Sequence, residues 1–282
     1  MGKKLETFNN VVITLAISST KGGVGKTTCA INLAFSCAKR GWKTLLVDAD
    51  PQGSVGFSLS PSAQAHNGLY EIIASSMPLR DVALKTKLET LKIVMAGKIP
   101  SNEISKWCSS LQDGSSLGSL FKAATEDGYD LVIIDTPSGM HGPTEGILRN
   151  VSHVLVPQQC EPLALRSLMM TVDFLNQLQS EKESACSLVG VVMTMADKNS
   201  AESKQIVEEI RQLLPSELVC HALIPRDPAV VHASMKGMPL GLIRGDAPPP
   251  IALIFDQLAA ELEAKLGLTF SKQSDEYVSL VV

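Results

Sequence analysis

The 282-residue chain lacks several features that would assign it to common classes of protein. Its six cysteines show no C-x-x-C spacing and its five histidines show no metal-ligand spacing, which argues against an iron–sulfur or zinc protein. Buried, reduced thiols are the expected state of these cysteines. No apolar run approaches the ~18 residues needed to span a bilayer, and no signal-peptide core follows the charged start. We therefore expect a cytoplasmic protein.

A surplus of positive charge is also absent. The formal net charge is −4 at pH 7, which argues against a wholly basic surface but leaves room for a local patch that binds a phosphate backbone. The sequence shows no internal repeat and no long linker, and its 45% apolar residues are enough for a substantial core. We expect one domain over residues 11–266, with an N-terminal arm over 1–10 and a C-terminal tail over 267–282.

Strand-like apolar runs alternate with helix-length segments, which is typical of a parallel sheet with helices on both faces. The predicted strands are Val11–Ser18, Thr44–Val47, Leu91–Ala96, Leu131–Ile134, Val154–Val156, Leu188–Met193 and Val219–Ile224. The predicted helices are Lys26–Arg40, Pro162–Leu178, Ala201–Leu214 and Ile251–Leu266. The pattern predicts an α/β fold with a mostly parallel, twisted sheet.

The most informative motif follows the first predicted strand. It is a glycine-rich segment with the sequence Thr20, Lys21, Gly22, Gly23, Val24, Gly25, Lys26, Thr27 and Thr28. In such a loop, backbone N–H groups surround phosphate oxygens, a lysine contacts the β- and γ-phosphates, and a hydroxyl ligates Mg²⁺. We predict that residues 21–28 bind a nucleoside triphosphate in a P-loop NTPase domain, with Lys26 on the phosphates and Thr27 on Mg²⁺.

The loop departs from the ordinary P-loop because Thr20 replaces the first glycine and an additional lysine, Lys21, precedes Gly22. This spacing is the deviant Walker A signature. A second lysine adds like charge to a site whose phosphates Lys26 and Mg²⁺ already offset in part, and a γ-phosphate shared between two subunits would accommodate it. The alternative is that Lys21 is a solvated loop cation.

Carboxylates follow two other predicted strands. Asp48 and Asp50 end the second strand, and Asp135 ends the apolar run Leu131–Ile134 in a Walker B arrangement. Ligands bind at the carboxyl ends of parallel strands. We therefore assign Asp48 and Asp135 to Mg²⁺ and its waters, and Asp50 to the attacking water. The alternatives are a turn at Asp50 and a cap made by Asp135.

These three segments together resemble the ParA/MinD family of deviant Walker ATPases, over roughly Val11 to Leu266. Residues 156–165 are similar to a turn of the ParA branch after its fifth strand. Residues 224–227 and 236–239 are similar to its nucleotide-base loop and the helix that follows. The resemblance implies that the base is bound at Pro225, Arg226 and Asp227, and that Lys21, Lys26 and Asp50 are the catalytic residues.

The resemblance also implies a function. It predicts a slow, Mg²⁺-dependent ATP hydrolase that forms a sandwich dimer with ATP, in which Lys21 of each subunit reaches the partner's phosphates. Such dimers bind nonspecific DNA of the nucleoid. A ParB-like or adaptor protein on a cargo, such as a plasmid, a chromosome region or a carboxysome, stimulates hydrolysis and releases them.

The sequence departs from the family at three places. Pro162 stands where many members have Tyr, Asp227 stands where a Pro-Arg-Asn motif has Asn, and residues 194–200 lack an arginine that commonly follows the sixth strand. Because that arginine is missing, we assign DNA contacts to Arg226, Lys236 and Arg244. Each of the three is alternatively an ordinary solvated charge.

Two other functions are compatible with the same motifs. One is a nucleotide-gated scaffold with little turnover, which partner-stimulated phosphate release would distinguish from an ATPase. The other is a MinD-like positioning ATPase, which would need a basic amphipathic helix at the membrane. The last predicted helix instead carries Asp256, Glu261 and Glu263, so we expect no membrane binding.

Overall fold

The computed structural model describes residues 11–59, 65–181, 186–243 and 248–268. The expected N-terminal arm, most of the expected C-terminal tail and Arg244 lie outside these residues. The strands are β1 Ile13–Ile17, β2 Thr44–Asp48, β3 Leu84–Lys85, β4 Leu91–Val94, β5 Leu131–Asp135, β6 His153–Gln159, β7 Ser187–Ala196 and β8 Val219–Pro225. The helices are α1 Lys26–Lys39, α2 Ser54–Leu59, α3 Leu69–Ser75, α4 Leu79–Val82, α5 Ile104–Asp113, α6 Ser115–Glu126, α7 Pro143–Asn150, α8 Ala164–Ser180, α9 Ala201–Leu213, α10 Pro228–Lys236 and α11 Pro250–Leu266.

The strands form one eight-stranded sheet in the order β3-β4-β2-β5-β1-β6-β7-β8. All neighbouring strands are parallel except β3 and β4. β1 lies between β5 and β6. The chain leaves β1 toward β2 on one side and later reaches β6 on the other side. The carboxyl end of β1 therefore faces the crevice in which sheets of this kind bind their ligands.

Helices cover both faces of the sheet because the strands are apolar on both sides. Leu15 and Ile17 of β1 belong to a buried cluster that includes residues of α1 and α11. Ala16 of the same strand belongs to a second cluster, with residues of α5 to α9. In β5, Ile133 and Val132 divide between the two clusters in the same way. This two-sided burial explains why the strands read as nearly continuous apolar runs.

The predicted α/β class and the mostly parallel sheet are confirmed. Each of the seven predicted strands and four predicted helices is present with ends that differ by a few residues. The prediction missed β3 and the helices α2 to α7, which contain between four and twelve residues, whereas the resemblance implied a helix after the base loop, and α10 lies there. Helices of this length depend on packing against the sheet more than on their own propensity, so the local pattern indicates them poorly.

The expected burial holds for five of the six cysteines. All six are free thiols, five of them buried, whereas Cys108 is partly exposed. Burial raises the pKa of the Cys37 thiol to about 12, which keeps this residue protonated and unreactive at neutral pH. Among the helices described, none combines the length and apolar character that a membrane span requires.

A buried carboxylate attaches the far end of α1 to the last helix. Glu263 of α11 accepts hydrogen bonds from Arg40 Nε and Nη2 at 2.5 and 2.6 Å and from Trp42 Nε1 at 2.5 Å. Burial opposes ionisation of Glu263, but the hydrogen bonds from Arg40 and Trp42 outweigh it and hold its pKa below the ordinary value. Since α1 begins at the glycine-rich loop, this cluster helps to fix the helix on which the loop rests.

We expect Glu263→Ala to lower the free energy of unfolding by about 2–4 kcal/mol, because Trp42 and Arg40 lose their acceptor. The depressed pKa means that this stabilisation is present above the unfolded value of ~4.3 and is lost as the pH falls through the folded value. Urea unfolding of both proteins at pH 7 and at decreasing pH measures the difference. The exposed Glu89→Ala variant is the control, and an equal loss in both variants would contradict the assignment.

Candidate functional site

Two glycines shape the loop between β1 and α1. Gly23 has φ 75° and Gly25 has φ 90°, in the left-handed region that glycine adopts readily and other residues rarely adopt. Gly25 is the N-cap of α1, and no side chain caps this helix. The Thr194 hydroxyl donates to the carbonyl oxygen of Val24 at 2.8 Å and attaches the loop to β7. The N-terminus of α1 is thus presented at the carboxyl edge of the sheet, where it suits an anion.

Lys26 is buried in this loop, with 6% of its surface exposed. Its Nζ donates to Ser138 Oγ at 3.1 Å. Burial lowers the pKa of Lys26, and the carboxylates of Asp135 and Asp50 oppose that decrease. The sequence prediction did not identify Ser138 as a partner of Lys26. The available signal was its place in the loop that directly follows the Walker B strand.

The register of two neighbouring strands brings two carboxylates together. Asp48 and Asp135 are the last residues of β2 and β5, and they are paired in the parallel ladder. Asp48 is fully buried and accepts hydrogen bonds from the backbone N–H groups of Asp50 at 3.2 Å and Val55 at 3.0 Å. Burial, followed by the neighbouring Asp135, raises the pKa of Asp48 to about 8, although both hydrogen bonds oppose the increase.

Asp135 has fewer hydrogen-bond partners than Asp48 among the described residues. Burial raises its pKa to about 7, and Asp50 adds to this increase, whereas the Thr27 hydroxyl and Lys26 oppose it. Thr27 is therefore close, but neither carboxylate oxygen of Asp135 has a hydrogen bond of good geometry within the residues described. Buried carboxylates normally have a partner. Two carboxylates and a hydroxyl are oxygen ligands of the kind that Mg²⁺ prefers, so the residues present fit this ion.

Asp50 lies in the turn that follows β2. Its carboxylate accepts a hydrogen bond from the N–H of Gln52 at 2.9 Å, and its carbonyl oxygen accepts one from the N–H of Gly53 at 2.9 Å. The turn that was the alternative interpretation of Asp50 is therefore present. Its influence on the pKa values of Lys26 and Asp135 places its carboxylate near the same site, and its role toward a water molecule stays a prediction.

Lys21, the additional lysine, has a different environment from Lys26. Its ammonium forms an ion pair with the carboxylate of Glu161, and the two side chains are 45% and 29% exposed. The neighbouring Thr20 hydroxyl donates to the carbonyl oxygen of Ser167 in α8 at 3.3 Å. Lys21 is therefore not an unpaired cation in the single chain. The sequence does not indicate this pairing, because Lys21 and Glu161 lie far apart along the chain.

The predicted base-binding residues lie at the end of β8. Pro225 is the last residue of that strand, and the backbone N–H of Arg226 donates to the carbonyl oxygen of Ala196 at 3.1 Å. The carboxylate of Asp227 caps α10 by accepting the N–H of Ala229 at 2.8 Å. Asp227 therefore has a structural role as a helix cap, and its contact with a base stays a prediction.

Two of the three predicted DNA contacts lie within the described residues. Arg226 and Lys236 are both exposed. Arg226 lies two residues before the nine-residue helix α10 and Lys236 is its last residue, and this helix is about 14 Å long at 1.5 Å per residue. Arg244 lies outside the described residues. The structure therefore leaves the assignment of DNA binding to these three residues as a prediction.

Comparisons with known proteins identify relatives of this chain. A family model described as an AAA domain matches residues 12–218. The chromosome partitioning protein ParA of Caulobacter vibrioides is 32% identical over 233 residues, which cover 82% of this chain and 87% of that protein. The chromosome-partitioning ATPase Soj of Treponema pallidum is 31% identical over 259 residues, which cover 90% and 98%.

One solved structure with the same fold is an ATP complex of a variant of McdA from Cyanothece. Its TM-score to this chain is 0.75 at 21% sequence identity, and the alignment covers 94% of this chain and 100% of McdA. At this identity the likeness concerns the fold alone.

We expect the stability of the nucleotide-free protein to decrease as the pH rises from ~5 to ~8. The folded chain keeps protons on Asp135 and Asp48 up to pKa values of about 7 and about 8, whereas the unfolded chain releases them near ~3.9. In this range the unfolded state binds fewer protons, so its free energy falls relative to that of the folded state. Urea unfolding at several pH values measures this dependence.

The variant Asp135→Asn should flatten this profile, because it removes one of the two buried acids. Asp127→Asn is the matched control, since Asp127 is exposed and its variant should follow the wild-type profile. A wild-type stability that stays constant or increases over this pH range would show that the two carboxylates are not buried as described.

Proposed function

The chain belongs to the ParA/MinD family of P-loop ATPases, and on that premise we propose that it is an ATP hydrolase that dimerises with ATP and positions a cargo on DNA. The observation that carries this proposal is the buried Asp135, whose two oxygens lack partners within the described residues, beside Lys26 and Thr27 at the glycine-rich loop. This arrangement combines an anion site and a cation site at the end of one helix.

We assign the triphosphate to the loop between Lys21 and Thr28. The backbone N–H groups at the start of α1 surround the phosphates, and Lys26 contributes a buried positive charge. Thr27, Asp48 and Asp135 would hold Mg²⁺, which when bound stabilises the charge that develops on the phosphates. Lys26 would exchange its hydrogen bond with Ser138 for one with a phosphate oxygen.

Asp50 would act on the attacking water. Its carboxylate lies in the turn after β2, near Lys26 and Asp135, and it is less buried than Asp48. A carboxylate that is accessible from the phosphate side is suited to orient or deprotonate water for attack on the γ-phosphorus. Asp48 is fully buried, and its carboxylate accepts hydrogen bonds from the N–H groups of Asp50 and Val55. It is therefore suited to position this turn and the metal ion.

Lys21 would act across the dimer. In the single chain it is paired with Glu161 and does not contact the carboxylates near Lys26. The ion pair is partly exposed, and such pairs contribute little to stability, so Lys21 is released at low cost. A γ-phosphate of the partner subunit is a stronger attraction for this ammonium, and loss of that phosphate would weaken the dimer.

The cargo cycle is supported by the relatives. Two of them are named as chromosome partitioning proteins, each aligned over four fifths or more of this chain. We propose that ATP-bound dimers bind nonspecific DNA of the nucleoid in the cytoplasm, and that a ParB-like or adaptor protein on the cargo stimulates hydrolysis and releases the dimers. Arg226, Lys236 and Arg244 remain the candidate DNA contacts, and Pro225, Arg226 and Asp227 the candidate base contacts.

We expect Lys21→Ala to bind ATP but to remain monomeric, because the loop and Lys26 stay intact while the attraction across the dimer is removed. Lys26→Ala should lose ATP binding itself. Fluorescent ATP titration measures binding, and sedimentation with Mg²⁺ and a non-hydrolysable ATP analogue measures dimerisation. Removing Mg²⁺ with EDTA should abolish the dimer of the wild-type protein.

Lys122→Ala is the control for the loss of one positive charge, since Lys122 is exposed on α6 and pairs only with Glu126 among the described residues. This variant should dimerise like the wild type. An intact ATP dimer of Lys21→Ala would contradict the role of Lys21. Phosphate release that stays at the basal rate in the presence of the cargo partner would favour a scaffold over an ATPase.

A further inference from the structure

The turn that follows β6 contains a leucine in a conformation that leucine rarely adopts. Leu163 has φ 71° and ψ 4°, and the N–H of Ala164 donates to the carbonyl oxygen of Glu161 at 3.0 Å. Together with Pro162, these values correspond to a type II turn, whose third position has φ near +80° and ψ near 0° and favours glycine or asparagine. A bulky side chain at this position is a conformational outlier.

Packing among the described residues does not account for this leucine. Leu163 is 76% exposed, so its side chain gains little from burial. It is also the N-cap of α8, where no side-chain hydrogen bond is made and where Ser, Thr, Asp or Asn would provide an oxygen. Other exposed apolar residues, such as Met235 and Leu253, have ordinary helical backbones. Strained residues of this kind concentrate at functional sites.

The turn that contains Leu163 lies next to the glycine-rich loop. Glu161, two residues earlier, is the ion-pair partner of Lys21. The first turns of α8 are joined to the glycine-rich loop, because Thr20 Oγ1 donates to the carbonyl oxygen of Ser167 at 3.3 Å and Thr171 Oγ1 lies 3.3 Å from Thr20 Oγ1. Leu163 is therefore held beside the face on which Lys21 is presented.

We propose that Leu163 is an apolar anchor of the ATP-bound homodimer, and that its side chain is buried against the second copy of this chain. The inference rests on the proposed ATP-dependent dimerisation and adds a residue that stabilises it. If Lys21 reaches the partner's phosphates, the partner must cover the turn that contains Glu161 and Leu163. In a two-fold dimer each residue of the interface contributes twice, so one exposed leucine adds apolar burial at two places.

The test compares two substitutions that relieve the same backbone conformation. Leu163→Gly removes the side chain from a left-handed position. Ser76→Gly does the same at φ 53° at the end of α3, a helix that packs against α4, α5 and α6. Thermal unfolding without nucleotide measures the stability of the monomer, and sedimentation equilibrium with Mg²⁺ and a non-hydrolysable ATP analogue measures the dimer dissociation constant.

We expect the unfolding temperature to be unchanged or raised by up to about 3 °C in both variants, because glycine adopts positive φ without strain. The dimer dissociation constant should increase at least about tenfold for Leu163→Gly, because the apolar side chain is removed from both ends of the interface, and should not change for Ser76→Gly. Leu163→Asn, which tolerates the conformation but is polar, should weaken the dimer as well.

Three results would overturn the inference. Equal dimer dissociation constants for Leu163→Gly and the wild type would do so, even if stimulation by the cargo partner falls, because the leucine would then contact that partner instead. A lower unfolding temperature confined to Leu163→Gly would show that the side chain is packed within the single chain. A wild-type protein that stays monomeric with the analogue would remove the proposed dimer itself, and is recognised before any variant is measured.

Discussion

Two carboxylates that end neighbouring parallel strands are the constraint on which the rest of the site depends. The register of β2 and β5 places Asp48 beside Asp135, where water does not solvate either group. Buried acids of this kind need a proton, a hydrogen-bond donor or a cation. Asp48 receives two backbone N–H groups, and Lys26 supplies one positive charge to the site, whereas Asp135 keeps two oxygens without a partner among the described residues. A metal ion would relieve this cost.

The segments after the two strands are packed into the core through Val55 and Met140, and they also make polar bonds at the site. Asp48 holds the start of α2 through the N–H of Val55, and Ser138 accepts the ammonium of Lys26. The N–H of Gly139 donates to the carbonyl oxygen of Ser19 at 3.3 Å. Single polar bonds of this kind exchange readily for bonds to a phosphate or a metal ion, whereas a packed core does not rearrange so easily. Nucleotide binding is thus able to exchange the polar partners at the site while the core under these segments stays in place.

The helix that supports the glycine-rich loop, α1, is held by more contacts than the polar partners at the site. α1 is buried along most of its length and is attached at several points to the elements that cover it. Asn32 accepts the N–H of Leu240 at 2.8 Å, the Ser36 hydroxyl donates to Asp256 at 2.8 Å, and Arg40 at the far end is held by Glu263. Phosphate binding requires N–H groups with fixed directions. The contacts that hold α1 and the left-handed glycines of the loop therefore both fix the directions of these N–H groups.

The glycine-rich spacing, the apolar runs and the acids that follow them were enough to predict the parallel sheet and the site at its carboxyl edge, because each of these signals is local. Only the tertiary structure decided that Lys21 pairs with Glu161, that Ser138 accepts Lys26 and that Asp135 lacks a partner among the described residues. It also decided the left-handed turn at Leu163. These features depend on strand register and on loops that meet across the edge of the sheet, and no periodicity within one segment encodes which loops will meet.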